Sequence, residues 1–193
     1  MSDALTPEEA AYSWIEDWEG IGCCVALVRD VAAEEALVRL VTKPKTTVGR
    51  VEQIRTWAEG HQYPAYGNSV EATTVGDWTV IVEINGYQAT LDEPLARLSR
   101  GTKAAVVYWN VNALMGFYWS VDGTQVRYFD PLLYDNPGWL GNPLPQEEGL
   151  TFGLGHPRAA AMACAERLTG VRLTRAFLDD RADWIAVGHN PGD

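Results

Sequence analysis

The stretch "VYWNVNALMGFYWSVDG", residues Val107–Gly123, decides the fold of this chain. It combines five aromatic residues with two asparagines in a largely apolar segment. Aromatic and β-branched residues favour a half-buried pleated surface, so the segment predicts β-sheet core. A single strand from 104 to 121 would be about 60 Å long, far beyond an ordinary strand. The chain must therefore turn inside it, and we expect the turn at Asn110–Val111–Asn112.

The same stretch can also be read as the floor of a binding site. Asparagine tolerates the left-handed backbone conformations of tight turns, so Asn110 and Asn112 are expected to shape the turn, with ligand contact as the alternative. The length of the turn decides which aromatic residues share a face of the sheet. The candidate ligand-binding residues are Trp78, Tyr108, Trp109, Asn110, Asn112, Tyr118 and Trp119.

The rest of the chain surrounds this segment with further strands and with helices. "WTVIVEI", residues 78–84, alternates like a strand between the turn dipeptides Gly76-Asp77 and Asn85-Gly86, which predicts a meander. Helices are expected after the capping signal of Thr6 and Glu9, over about 47–59, and over about 157–169. The fold predicted for residues 1–193 is therefore a single α+β domain, with a mainly antiparallel sheet of five or six strands packed by N- and C-terminal helices.

The charge of the chain restricts its partners. Lysine and arginine number 15 against 26 aspartate and glutamate residues, which gives a formal net charge of -11. No basic block is present to neutralise a run of phosphates, so we expect neither nucleic-acid binding nor docking to an anionic membrane surface. A cationic protein partner fits this charge, and an acidic surface that only aids solubility is the alternative.

Cysteine usage and the N-terminal sequence point to a cytoplasmic protein. Cys23 and Cys24 are adjacent and one further cysteine makes the count odd, which does not suit a disulfide framework. The N-terminal residues lack the basic and apolar regions of a signal peptide. No apolar stretch approaches the roughly 18 residues of a membrane span.

Catalytic signatures give little support for an enzyme. The sequence has no dinucleotide-binding or phosphate-binding glycine motif, no HExxH, no CxxC and no GxSxG. His61, His156 and His189 do not lie at metal-ligand spacings, so we expect no metal site and no cofactor. The apolar surroundings of Cys23 and Cys24 predict buried, inert thiols.

Two carboxylates are the candidates for catalysis in an alternative interpretation. Glu83 and Asp130 each end an apolar strand, and together they could act as an acid and base pair if the fold brings them close. Against this, Asp130 precedes Pro131 and suits a turn, and Glu83 could simply face solvent.

Four segments resemble an uncharacterised bacterial family of the actinomycete type that is known only as a domain of unknown function. They are "GDWTVIVEINGYQAT", "LSRGTKAAVVYWNVNALMGFYWSVDG", "FDPL" and "ERLTGVRLT". The resemblance implies a bacterial cytosolic protein, and it carries no catalytic residue that could be transferred.

Two classes of function follow. The first is a non-enzymatic, immunity-like binding protein whose acidic surface caps a cationic protein partner, which the charge and the missing motifs favour. The second is a small-molecule binder or an enzyme, with an aromatic pocket between the sheet and the 131–149 loop.

Overall fold

The structure is a computed structural model that describes residues 4–16, 22–41, 46–50, 69–135, 139–179 and 183–188. Its centre is one sheet of eight strands in the order β2-β8-β3-β4-β1-β5-β6-β7, and every pairing is antiparallel. The α+β fold with a mainly antiparallel sheet is thereby confirmed. The strands are β1 (Cys23–Arg29), β2 (Thr46–Arg50), β3 (Ser69–Val75), β4 (Trp78–Ile84), β5 (Lys103–Trp109), β6 (Met115–Val121), β7 (Thr124–Phe129) and β8 (Trp184–Gly188).

Five α-helices lie within the described ranges. They are α1 (Pro7–Ala11), α2 (Ala33–Leu40), α3 (Asp92–Leu98), α4 (Pro157–Thr169) and α5 (Arg175–Asp179). α1 begins with the predicted capping box, in which the Thr6 hydroxyl accepts from the Glu9 N–H at 3.2 Å and the Glu9 carboxylate accepts from the Thr6 N–H at 2.8 Å. α4 has the predicted bounds and ends at Gly170, whose φ of 73° suits glycine.

Both faces of the central strand β1 are buried, so the sheet needs a layer of helix on each side. Val25 and Leu27 point to the first face, where they share a core with α4 and the segment that follows α1. Cys24 and Ala26 point to the second face, where they share a core with α2 and α3.

The segment Val107–Gly123 is the hairpin of β5 and β6, with its turn at residues 110–114. The tryptophans Trp78, Trp109 and Trp119 are all buried in the core of the first face. Their indoles therefore belong to the packing of the domain, as expected for aromatic strand residues.

Residues 46–50 form a strand, which corrects the helix predicted over 47–59; residues 51–59 lie outside the described ranges. β2 pairs along its whole length with β8, the segment that contains the apolar "WIAV". Three β-branched residues in succession, Thr46 to Val48, favour the extended backbone, and β8 supplies the partner that makes it stable.

The Asn85-Gly86 dipeptide does not close the hairpin that it predicts. Both sides of β4 are already paired, one with β3 and the other with β1. The next strand in the chain, β5, therefore pairs with the remaining side of β1. Asn85 takes the left-handed conformation, with φ 53°, and the chain continues through a 3₁₀ turn at Gln88–Thr90 into α3. The Asn85-Gly86 turn therefore begins the connection that crosses over β1 and leads to β5.

We expect Trp109→Ala to lower the free energy of unfolding by about 3 to 5 kcal/mol, the usual loss for a large buried aromatic side chain. The indole is 1% exposed, so its removal leaves a cavity under α4. Urea denaturation measures the change, with Val38→Ala on the exposed side of α2 as the control. An unfolding midpoint like that of the wild type would contradict this description of the core.

Candidate functional site

Five of the sequence-predicted residues lie toward one end of the sheet, spread across its width. This end, called the loop end, is where β4, β5 and β7 finish and where β6 begins. The five residues are Glu83, Tyr108, Asn110, Tyr118 and Asp130. The three tryptophans are on the first face, because successive strand residues point to opposite sides and Trp109 follows Tyr108 as Trp119 follows Tyr118.

Three half-buried aromatic residues near the β7 edge form what we call the aromatic cluster: Tyr118, Tyr128 and Trp139. The ring centroids of Tyr118 and Tyr128 are 4.8 Å apart, and those of Tyr128 and Trp139 are 5.4 Å apart with the rings at 87°. Gly116 makes room for the cluster, because a Cβ there would be 2.5 Å from the Tyr118 ring. Tyr118 is among the residues predicted from the sequence, whereas Tyr128 and Trp139 are not.

The hydroxyl groups of the cluster remain protonated well above neutral pH. Burial is the largest cause that raises the pKa of Tyr118, and the neighbouring Tyr128 adds to it. Burial also raises the pKa of Tyr128, with a further contribution from the charge of Asp130. Both hydroxyls are therefore available as hydrogen-bond donors.

Glu83 is 1% exposed, and its carboxylate holds the turn that follows β4. Its two oxygens accept from the backbone N–H groups of Gln88 at 2.8 Å and Ala89 at 2.9 Å. Gly86 passes so close that a Cβ there would be 2.7 Å from the Glu83 Cβ. Burial raises the pKa of Glu83 in spite of these hydrogen bonds.

The thiol beside this carboxylate is buried and unreactive. Burial, and then the charge of Glu83, raise the pKa of Cys24 well above its usual range. A thiol that stays protonated is a poor nucleophile, which agrees with the structural role expected for it. Cys23, Cys24 and Cys164 are all buried.

The fold does not bring Glu83 and Asp130 together. Four strand spacings separate β4 from β7, a distance of about 19 Å across the sheet. Asp130 forms the turn that its position before Pro131 suggested, since its Oδ1 accepts from the Leu132 N–H at 2.8 Å. At this separation the two carboxylates cannot act on one substrate bond as a pair.

Asn110 shapes the β5–β6 turn. Its Oδ1 accepts from the N–H groups of Asn112 at 2.9 Å and Leu114 at 3.1 Å, and its Nδ2 donates to the Tyr108 hydroxyl at 3.0 Å. Asn112 is exposed in the turn, and Ala113 rather than an asparagine takes the left-handed conformation, with φ 59°.

The comparison with protein families adds one finding. A model described as "Family of unknown function (DUF6461)" matches residues 6–137. The chain belongs to this family. The match includes Tyr118 and Tyr128 of the aromatic cluster and ends just before Trp139. No curated protein and no solved structure matches this DUF6461 chain.

The described ranges contain neither a metal-binding group of side chains nor a membrane-spanning helix. Within those ranges no three or more His, Cys, Asp or Glu side chains are grouped so that they could hold a metal ion. His61 and His189 lie outside the described residues. None of the described helices is long and apolar enough to cross a membrane.

A buried ion pair holds the loop after β7 against the first face of the sheet. This pair is not among the features predicted from the sequence. Arg127 donates from Nε and Nη2 to the two oxygens of Glu147 at 2.8 and 2.7 Å, and both side chains are almost fully buried. Glu147 also accepts from the Tyr134 hydroxyl at 2.7 Å and the Leu144 N–H at 2.8 Å. The loop therefore wraps the edge strand β7, with Glu147 held on the first face and Trp139 against the Tyr128 ring.

We expect either Arg127→Met or Glu147→Leu to destabilise this DUF6461 protein by about 3 to 5 kcal/mol, because each leaves a buried charge without its partner. The double variant Arg127→Met/Glu147→Leu should recover most of that loss, because it buries no charge. Chemical denaturation of the four proteins gives the coupling energy. Additive losses would show that the ion pair does not fasten the loop.

We also expect Glu83 to make stability fall as the pH rises. Its folded-state pKa is raised above the ordinary value of 4.5, so its contribution is fully present below the unfolded pKa and is lost as the pH rises through the folded pKa. In Glu83→Gln the free energy of unfolding should not show this decline. The exposed Glu34→Gln is the matched control. Parallel pH profiles for wild type and Glu83→Gln would rule the effect out.

Proposed function

We propose that this protein is a non-enzymatic binding protein whose loop end docks a cationic partner protein. The observation that carries the proposal is the concentration of exposed apolar side chains in the loops at that end. Large exposed apolar groups that cluster on one surface are typical of interaction sites, whereas scattered ones need no explanation.

Six of the nine large apolar side chains exposed in the described ranges belong to these loops. Leu154 is 94% exposed, Val111 65% and Leu114 59%. The Gly153 N–H donates to the Pro131 carbonyl at 2.8 Å, which places Leu154 beside the turn after β7. We call the six residues the apolar rim: Tyr87, Leu91, Val111, Leu114, Leu133 and Leu154.

The charge near the apolar rim favours a cationic occupant. The segments 85–92, 110–114, 130–135 and 152–156 contain three aspartates and no lysine or arginine. A second copy of the chain would bring the same acidic surface and a net charge of -11 with it, so repulsion opposes self-association. A partner that combines basic residues with apolar anchors complements both features.

Strand addition at the β7 edge of the sheet has less support than docking at the loop end. β7 is one of the two edge strands, and its Tyr128 N–H already donates to the Leu140 carbonyl at 3.1 Å. The loop held by Arg127 and Glu147 lies along the same strand. Such covering is how proteins protect an edge from pairing with another chain.

An immunity-like role in the cytoplasm of an actinomycete-type bacterium is the biological setting that we propose. The buried thiols of Cys24 and Cys164, which form no disulfide, suit a reducing compartment. A compact acidic protein that caps a basic toxin or enzyme needs only a preformed complementary surface and no catalytic group.

A peptide library of varied charge tests this proposal through the chemistry of the peptides that the protein selects. Immobilised wild-type protein should select peptides that combine Lys or Arg with aliphatic or aromatic anchors. We expect the triple variant Val111→Ser/Leu114→Ser/Leu154→Ser to bind the selected peptides at least tenfold more weakly, because it removes the apolar anchoring area.

The matched control is Val38→Ser/Val126→Ser, which removes exposed apolar side chains away from the loop end and should bind like wild type. Association should also slow as salt is added, since charges are screened over about 10 Å at 0.1 M. Selection of neutral or acidic peptides, or equal binding by both variants, would contradict the proposal. Self-association that the triple variant abolishes would assign the surface to a second copy.

A further inference from the structure

We propose that the corner between Tyr128 and Trp139 receives one arginine or lysine side chain of the cationic partner. This inference rests on the proposed function and gives it a specific recognition element. The corner is at the β7 edge of the sheet, beside the apolar rim of the loop end.

The two rings form perpendicular walls. Their planes meet at 87° with centroids 5.4 Å apart, and both side chains are only half-buried. Tyr118 packs against Tyr128 at 4.8 Å and supports that wall. A cation within about 6 Å of an aromatic centroid is attracted by the negative face of the ring, and in an edge-to-face pair the face of the ring that points its edge at its neighbour borders the corner.

The nearest charges also suit a cation. Asp130 comes two residues after Tyr128, directly after the end of β7, and its charge contributes to the raised pKa of the Tyr128 hydroxyl. The exposed Asp135 is in the adjoining turn. Arg127, the neighbouring cation in the sequence, points to the opposite face and is bound to Glu147, so it does not fill the corner.

The backbone around Trp139 is fixed before any ligand arrives. The indole N–H donates to the Leu133 carbonyl at 3.0 Å. Arg127 Nη1 donates to the carbonyls of Leu140 at 3.2 Å and Gly141 at 3.1 Å. A Cβ on Gly141 would be 2.1 Å from the Val126 carbonyl oxygen, so glycine allows this close approach to β7. A site fixed in this way loses little conformational entropy when it binds.

Two small probes that differ in charge test the corner directly. N-acetyl-arginine methylamide carries the cation, and N-acetyl-citrulline methylamide has nearly the same shape without it. We expect the arginine probe to shift the NMR signals of the Trp139 indole and the Tyr128 ring, and to bind about tenfold more tightly than the citrulline probe. Lysine in place of arginine should give the same contacts.

Variants of the two walls identify the site. Tyr128→Leu and, independently, Trp139→Leu should each weaken binding of the arginine probe about tenfold, whereas Tyr128→Phe keeps the aromatic face and should retain binding. Val38→Ala is the control, because it removes an exposed apolar side chain on α2, outside both the corner and the apolar rim. Melting temperatures show whether each variant is folded.

The outcomes separate this inference from the proposed function. Equal binding of the two probes, or unchanged binding by both leucine variants, would overturn the cation site. If selected cationic peptides still lose binding in the triple serine variant but not in Tyr128→Leu, the proposed function stands and the corner does not. If the arginine probe binds at the corner but the library yields no cationic peptide, the docking proposal fails and the cation site remains.

Discussion

Burial of the central strand on both faces is the constraint on which the rest of the structure depends. An antiparallel sheet commonly leaves one face to solvent, but in β1 every residue from Cys23 to Val28 is buried. The chain must therefore supply helices to both sides, α4 to one and α2 with α3 to the other. This requirement explains why α3 is inserted between β4 and β5, where the local sequence signals a simple hairpin.

Features of the fold that depend on neighbouring residues were predictable, and those that depend on distant pairing were not. The capping box of Thr6 and Glu9, the bounds of α4 and the Gly76-Asp77 turn all follow from local rules. The strand at 46–50 depends on β8, which lies more than a hundred residues further along the chain. The spacing of Val48 and Val51 suggested a helix, and no nearby part of the sequence indicated a strand in its place.

The candidate site was predictable in part for the same reason. The sequence placed Tyr108 and Tyr118 in strands, but alternation across the pleat separates them from Trp109 and Trp119. The contact of Trp139 with Tyr128 could not be predicted, because an irregular loop has no hydrophobic period from which contacts can be inferred. Arg127 did leave a signal: it shares the face of Phe129 and Trp119, and an arginine on a buried face requires an acidic partner.

The buried carboxylates explain how the loop end can serve as a rigid surface. Three of them bind backbone N–H groups outside the strands and α-helices: Glu83 binds Gln88 and Ala89, Glu147 binds Leu144, and Glu9 binds Thr151. These acidic groups hold the loops in place, and the side chains that the loops expose include the six apolar residues of the apolar rim. Loops that are held by such hydrogen bonds lose little conformational entropy when a partner docks. More of the free energy gained by burying apolar surface then contributes to affinity. Such an arrangement suits the recognition role that we propose, because these three carboxylates already serve to hold the loops.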